Sequence, residues 1–329
     1  MAVYTAIDDP EAYFQTVIYT GDGSADHAIT LPGDTDMQPD LVWIKNQDAD
    51  DSHCLFDSVR GATEVLSTDS TAAEATDADT LDSFTSDGFQ VDADVKVNTN
   101  TEAYVAWCWK ESATAGFDII AWTAPSSGST TISHSLSAVP QMIISKSRSN
   151  VTDWEVYNHI SGNANTLQLN TTAAANDNNA YNDTDPTSSV FSVTASGFGA
   201  DRTIVSYAFA PKQGFSKFGS YKGNGADDGP FIYLGFKPAF IILKYSDDAD
   251  HWLIKDNKRP AYNPNTDRAW PNQTAAFEDS TTNAIDMLSN GFKHRSSNNN
   301  LNDSGGEFIY MAWAESPFVN SNGVPNNAK

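Results

Sequence analysis

Short apolar runs recur along the chain, separated by stretches rich in Asp, Asn, Ser and Gly, and little of it shows the spacing of an amphipathic helix. Three of these runs are bracketed by proline and lysine. Pro39 and Lys45 enclose Asp-Leu-Val-Trp-Ile, Pro140 and Lys146 enclose Gln-Met-Ile-Ile-Ser, and Pro238 and Lys244 enclose Ala-Phe-Ile-Ile-Leu. A continuous apolar run of this length predicts a strand buried on both faces. A second kind of run alternates instead. Val105, Trp107 and Trp109 alternate with Ala106 and Cys108, Val205, Tyr207 and Phe209 with Ser206 and Ala208, and Ile309, Met311 and Trp313 with Ala312 and Ala314. Strand geometry puts the bulky residues on one face and the small ones on the other. The bulky face is expected to fill a sandwich core, and the small face to lie against a further layer or a neighbouring domain.

These runs belong to a unit that occurs three times. After the lysines come His53, Trp154 and Trp252 at one common spacing, then Asp57, Asn158 and Asp256 at another. A Thr-Ala-Ala triplet follows at Thr71, Thr172 and Thr274, then a Gly-Phe pair at Gly88-Phe89, Gly197-Phe198 and Gly291-Phe292, then the alternating strand. Each unit opens on an aromatic strand near Phe14, Phe117 or Phe218, and two of them continue into Tyr-x-Gly-x-Gly at Tyr19 and Tyr221. The predicted organisation is an N-terminal arm over 1–12, repeats over 13–112, 113–211 and 212–318, and a polar C-terminal tail over 319–329, expected to be mobile. The joins are too short to be flexible linkers, so the copies should sit close together.

Many short strands with turn signals between them predict an all-β fold of three tandem antiparallel β-sandwiches, lectin-like or jelly-roll-like, which three copies could arrange with pseudo-threefold symmetry. The polar residue before each Gly-Phe predicts a tight turn with glycine at positive φ and the phenylalanine returning to the core. Ser70 to Asp82 reads as a loop with one helical turn.

The 329 residues carry 43 Asp and Glu against 19 Lys and Arg, a formal charge of −24. This sign disfavours nucleic acid and anionic lipid as partners. No apolar stretch is long enough for a membrane helix, and the start lacks the basic and apolar regions of a signal peptide. Cys54 and Cys108 make no disulfide framework and read as free thiols of a protein folded in a reducing cytosol.

Candidate chemistry is sparse. The six histidines and two cysteines show no zinc-type spacing, and neither a Gly-x-Ser-x-Gly elbow nor a phosphate loop occurs, so no cofactor, metal or catalytic residue is assigned and no enzyme activity is expected. His53 stands where the other copies have Trp and reads as a core or rim ring. Asp57, Asn158 and Asp256 interchange Asp with Asn; asparagine cannot act as acid or base, so a turn-forming role fits better than catalysis. Two acidic loops, Asp48, Asp50, Asp51 and Asp247, Asp248, Asp250, are oxygen-rich as calcium requires, but their spacing matches no known calcium loop. Trp122, Tyr157, Tyr181, Tyr262 and Trp270 lie in less regular sequence and are the candidate ligand-contact rings, since an aromatic plane can stack on a sugar face.

Ile7-Asp-Asp-Pro-Glu-Ala-Tyr-Phe-Gln, Pro39-Asp-Leu-Val-Trp-Ile-Lys, Phe56-Asp-Ser-Val-Arg-Gly, Ser86-Asp-Gly-Phe and Tyr104-Val-Ala-Trp-Cys-Trp-Lys resemble structural proteins of marine tailed phages, of the tail-fibre-like or minor structural kind. The resemblance is specific over residues 7–111, partial in the third copy and faint in the second, which lacks the Arg-Gly element. It implies a virion location after synthesis in the host cytoplasm. Other virion proteins are the implied partners, and the arm is the expected point of attachment. It supplies no binding residues. The order of apolar strand, Gly-Phe and closing aromatic strand is also similar to H-type lectins, sandwiches that assemble as trimers.

The expected function is a non-enzymatic fibre, spike or tail-tip protein contributing to recognition of a host glycan or protein. The alternatives are a capsid decoration, head-fibre or adaptor protein without host contact, and, further off, a polysaccharide depolymerase. A homotrimer is compatible with the sequence.

Overall fold

The computed structural model describes residues 4–260 and 262–327. The protein is all-β, its sheets antiparallel, and each sheet lies within one sequence copy. In the first copy a six-stranded sheet runs in the order Phe14–Thr20, Ala103–Trp109, Leu41–Asn46, Cys54–Asp57, Gly61–Ser67, Ala75–Thr76. A three-stranded sheet of His27–Thr30, Gly88–Val91 and Leu81–Thr85 faces it. The second copy repeats the six-strand order with Phe117–Thr123, Thr203–Phe209, Met142–Ser147, Glu155–Asn158, Asn165–Gln168 and Asn176–Asp177, faced by Ser129–Ser133 and Val190–Thr194. In the third, Ser216–Lys222, Glu307–Pro317, Phe236–Tyr245 and Leu253–Asp256 are faced by Phe231–Tyr233, Gly291–His294 and Ile285–Leu288.

The large sheets are buried on both faces, but the roles of the two faces are reversed from expectation. The small residues Ala106 and Cys108, with Val42, Ile44 and Phe56, pack inside the first sandwich against Ile29, Phe89 and Val91. Ala208 and Ile143 do the same in the second against Phe191 and Val193. The bulky residues Trp107, Trp109, Tyr207, Phe209, Met311 and Trp313 instead share one central core to which all three copies contribute. Inside each sandwich the facing sheet already supplies large rings, so small residues suffice on the closing strand. Where three sheets converge, only large side chains fill the gap, and a cavity of about 20 Å³ is all that remains among them. Trp313 meets Trp109 at 5.5 Å and Phe209 at 5.3 Å between ring centroids, joining equivalent positions of all three copies.

Contacts between copies run head to tail and return to the start. The Glu74 amide donates to the Arg148 carbonyl, that of Ala175 to Ser246, and that of Phe277 to Gln47. Each donor lies just after a Thr-Ala-Ala triplet and each acceptor just after a bracketing lysine, so first meets second, second meets third, and third meets first. Indole donors add to this: Trp154 to the Ser67 carbonyl and Trp252 to the Gln168 carbonyl.

Local details also depart from the sequence reading. Only Gly88 of the three Gly-Phe glycines has a positive φ, at 133°. The common requirement is close approach. A Cβ on Gly88 or Gly291 would lie 2.0 Å from the carbonyl oxygen of Ile29 or Ile232, and one on Gly197 would lie 2.3 Å from Ala180 Cα. Phe89, Phe198 and Phe292 do enter the cores. Ser70–Asp82 contains no helical turn; it forms the short Ala75–Thr76 strand, bonds to Arg148 through the Glu74 amide, and runs into the Leu81–Thr85 strand. Single helical turns occur at Val95–Asn98 and Asn299–Asn302, capped by Asp94 and Asn298. They explain Tyr-x-Gly-x-Gly. Tyr19 and Tyr221 donate to the carbonyls of Val97 and Leu301, and buried Asn98 and Asn302 accept from the amides of Asp22 and Asn224.

The described end segments are held by the body. The Ala6 amide donates to Gln213, and Thr5 and Ile7 are buried. The tail, expected to be mobile, folds back: Asn320 donates to Val324, Asn326 to Phe318, and the Ser321 amide to Asp8 at 2.7 Å. Its last residues, and the first three of the arm, lie outside the described residues.

Candidate functional site

The strand ends at Asp57, Asn158 and Asp256 each form a side-chain-to-backbone turn. Asp57 Oδ1 accepts from the amides of Val59 and Arg60, Asp256 Oδ1 from Lys258 and Arg259, and Asn158 Oδ1 from Ile160. The second oxygen of each aspartate has a further role. Asp57 Oδ2 takes a hydrogen bond from Arg60 Nε and another from the Tyr207 hydroxyl of the second copy. Asp256 Oδ2 takes one from Arg259 Nη2 and another from Trp107 Nε1 of the first copy, at 3.2 Å. Burial holds the Tyr207 hydroxyl well above the usual tyrosine range, so it stays protonated and donates. The arginines were missed as partners from sequence, although Asp-x-x-Arg occurs in copies one and three. Where the arginine is absent, at Ser161, the acid is also absent, at Asn158. A buried carboxylate needs its cation, and the amide does not.

Lys45, Lys146 and Lys244 are also buried, and carbonyl oxygens surround their ammonium groups. Lys45 donates to Asn46 and Ala49, Lys146 to Thr71 of the first copy, and Lys244 to Thr172 of the second. Burial pushes all three down to about 8. Glu74 bridges Arg60 in its own copy and Arg148 in the next. Burial opposes its charge, but the hydrogen bonds from Arg148 and then Arg60 carry its carboxyl below the ordinary value. These groups clamp the copies together, their polar atoms taken up by backbone carbonyls and by one another.

The five candidate rings are not brought together. Tyr157, Tyr181 and Trp270 are core residues, and Trp122 lies in the Phe117–Thr123 strand, half-buried, donating to Ser206. Only Tyr262, 80 % exposed, could meet a ligand freely. His53 is buried, accepts from Trp43 Nε1 at 2.9 Å and stacks on Trp107. The acidic loops turn their carboxylates onto backbone amides: Asp48 accepts from Ala103, Asp50 from Ala276 and Asp247 from Glu307. Among the described residues no group of three or more His, Cys, Asp or Glu could hold a metal ion. Cys54 and Cys108 are free and buried, and burial raises their thiols far above the reactive range.

An open groove of about 400 Å³ lies where the second copy joins the third. The join itself, Pro211 to Gly214, forms one wall; Lys217, Tyr233 and Tyr4 form the rest. Tyr4 and Tyr233 are each 53 % exposed. Lys217 Nζ donates to the Tyr233 carbonyl at 2.7 Å and sits 5.5 Å from that ring's centroid. Strand register makes this groove particular to the third copy. Ile29 pairs with Phe89 as Ile232 pairs with Phe292, so Ala28 and Thr30 correspond to Phe231 and Tyr233. All four positions are exposed, yet only the third copy puts aromatic rings there. Sequence alone did not align these short strands, because the loops around them differ in length.

The chain matches the model of a family described only as a domain of unknown function, DUF7483, over residues 9–317, so all three copies fall within one family unit. No curated protein and no solved structure matches it.

Proposed function

This chain belongs to the DUF7483 family, and we propose that it is a non-enzymatic structural protein of a tailed-phage particle, a fibre, spike or tail-tip component that touches the host surface. The resemblance over residues 7–111 supports the particle. The observation that carries host contact is the aromatic pair Phe231 and Tyr233, exposed beside an open groove in one copy where the equivalent residues of another are Ala28 and Thr30. Exposing two rings on one short strand costs solubility and is retained at recognition surfaces. The closed circuit of contacts between copies supplies the rigid scaffold on which such a surface works. It also uses the head-to-tail faces within one chain, which supports a single chain doing what a trimer of one-copy chains would do.

The test is gold-labelled antibody against this chain on whole particles, with adsorption of purified protein to permissive cells. Label at the tail with saturable adsorption is expected. Label confined to the head would replace this reading by the decoration or head-fibre alternative.

A further inference from the structure

We propose that the groove at the second join binds an acidic saccharide, its uronate carboxylate held by Lys212 and Lys217 and its ring stacked on Tyr233. This deepens the host-contact reading and rests on it.

Charge is the first argument. In a chain of 43 carboxylates and 19 cationic residues, neither of these two lysines has an acidic side chain within ion-pair distance among the described residues. Both nonetheless line the same groove. Burial holds both below the ordinary lysine range, a cost that an incoming carboxylate would relieve. The Lys212 stem lies over Gly116, where a Cβ would come within 2.9 Å of its Cε.

The second argument comes from comparing the copies at one slot. Register places Gln15, Asp118 and Lys217 opposite Cys108, Ala208 and Ala312, the same position of the closing strand. Each residue tethers the next loop. Gln15 accepts from the Gly33 amide, Asp118 from the Ser135 amide, and Lys217 donates to the Tyr233 carbonyl. The tether needs hydrogen bonding but no charge, as the neutral glutamine of the first copy shows through Gly33 and Thr35. A lysine at that slot adds two further N–H donors and a charge that the tether does not use. Tyr233, at the slot of Thr30, adds an aromatic plane where the fold requires none. A cation beside an exposed ring matches a ligand with a carboxylate on an apolar-faced ring, which is an acidic sugar.

The test uses the full chain, trigalacturonate as probe, galactotriose as its neutral counterpart and a glutamate tripeptide as a plain anion. Titration calorimetry should show saturable binding of trigalacturonate only, weakening as salt rises. Lys217→Gln and Tyr233→Thr, the residues the first copy carries, should each weaken it at least tenfold with unchanged melting temperature. No binding of trigalacturonate, equal binding of the tripeptide, or binding indifferent to both substitutions would overturn the proposal. Cell adsorption separates the two readings. Variants that lose trigalacturonate but still adsorb would sink the groove and spare host contact. Trigalacturonate binding by a protein located on the head would do the reverse.

Discussion

The hydroxyl of Tyr207, in the second copy, donates to Oδ2 of Asp57, in the first, at 2.7 Å in the protein interior. That oxygen also pairs with Arg60, whose remaining nitrogens reach the carbonyls of Leu55 and Glu64 and the carboxylate of Glu74. Removing either charge takes its closest partner from the other, leaving Arg60 with Glu74 or Asp57 with only the Tyr207 hydroxyl and backbone amides. Asp57→Asn or Arg60→Ser should each cost about 3–5 kcal/mol. The double change reproduces the Asn158 and Ser161 pair of the second copy and should cost less than the sum, with a coupling of about 1–3 kcal/mol. Urea unfolding of the four proteins checks this; additive losses would contradict it.

The shared core predicts that the copies do not unfold separately. Trp313→Ala opens the region where Trp109, Phe209 and Phe240 meet, and should cost about 3–5 kcal/mol. The whole chain should melt in one calorimetric transition. A fragment of residues 13–112 would expose Trp43, Trp107 and Trp109 and should not fold alone. A folded fragment, or three resolved transitions, would refute the shared core.

Gly21 and Gly223 pack against the ends of the two helical turns, where a Cβ would stand 2.2 Å from the Thr99 carbonyl oxygen and 2.1 Å from that of Asp303. Alanine at either should cost about 3 kcal/mol, because backbone and not a flexible side chain is in the way. Gly128, with φ of 67° and open space around it, is the control, and its alanine variant should lose only about 1–2 kcal/mol. Thermal melts of the three variants decide.

Stability should rise with pH between about 8 and 10. Burial holds Lys45, Lys146 and Lys244 down to about 8 and Lys255 to about 7. Below those values both folded and unfolded chains carry the protons, and the desolvation cost stands in full. Between them and the unfolded lysine value near 10.4 the unfolded state binds more protons, so each lysine adds up to about 1.4 kcal/mol per pH unit. Cys54 and Cys108, raised by burial, act in the opposite sense above about pH 8.5 but are fewer. The melting temperature should be higher at pH 9.5 than at 7.5, and the triple Lys→Met variant at 45, 146 and 244 should flatten the rise. A melting temperature that falls over this range would contradict the assignment.

The all-β class was legible because the runs after Pro39, Pro140 and Pro238 and the alternation around Trp107, Tyr207 and Trp313 are local signals. Which face meets which core was not legible. Alternation assigns residues to two faces but does not say what lies beyond either, and the bulky face turned toward a junction of copies. Arg60 and Arg259 bond aspartates only three residues away, but the Tyr207 and Trp107 donors that share those aspartates come from other copies, and only the joint loss of acid and arginine at Asn158 and Ser161 hinted at the pairing. The groove was hidden for a related reason: irregular sequence around Tyr157, Tyr181 and Trp270 suggested exposure, whereas the exposed rings of Phe231 and Tyr233 sit in a short regular strand.

Because Ser321 bonds to Asp8, the two ends of the described chain lie side by side. The polypeptide could therefore be stitched through that point and opened at an exposed turn such as the one bearing Val151 without disturbing any sheet. By the same token, the whole body could be spliced into a surface loop of a host scaffold as a single cassette, entering and leaving through neighbouring points.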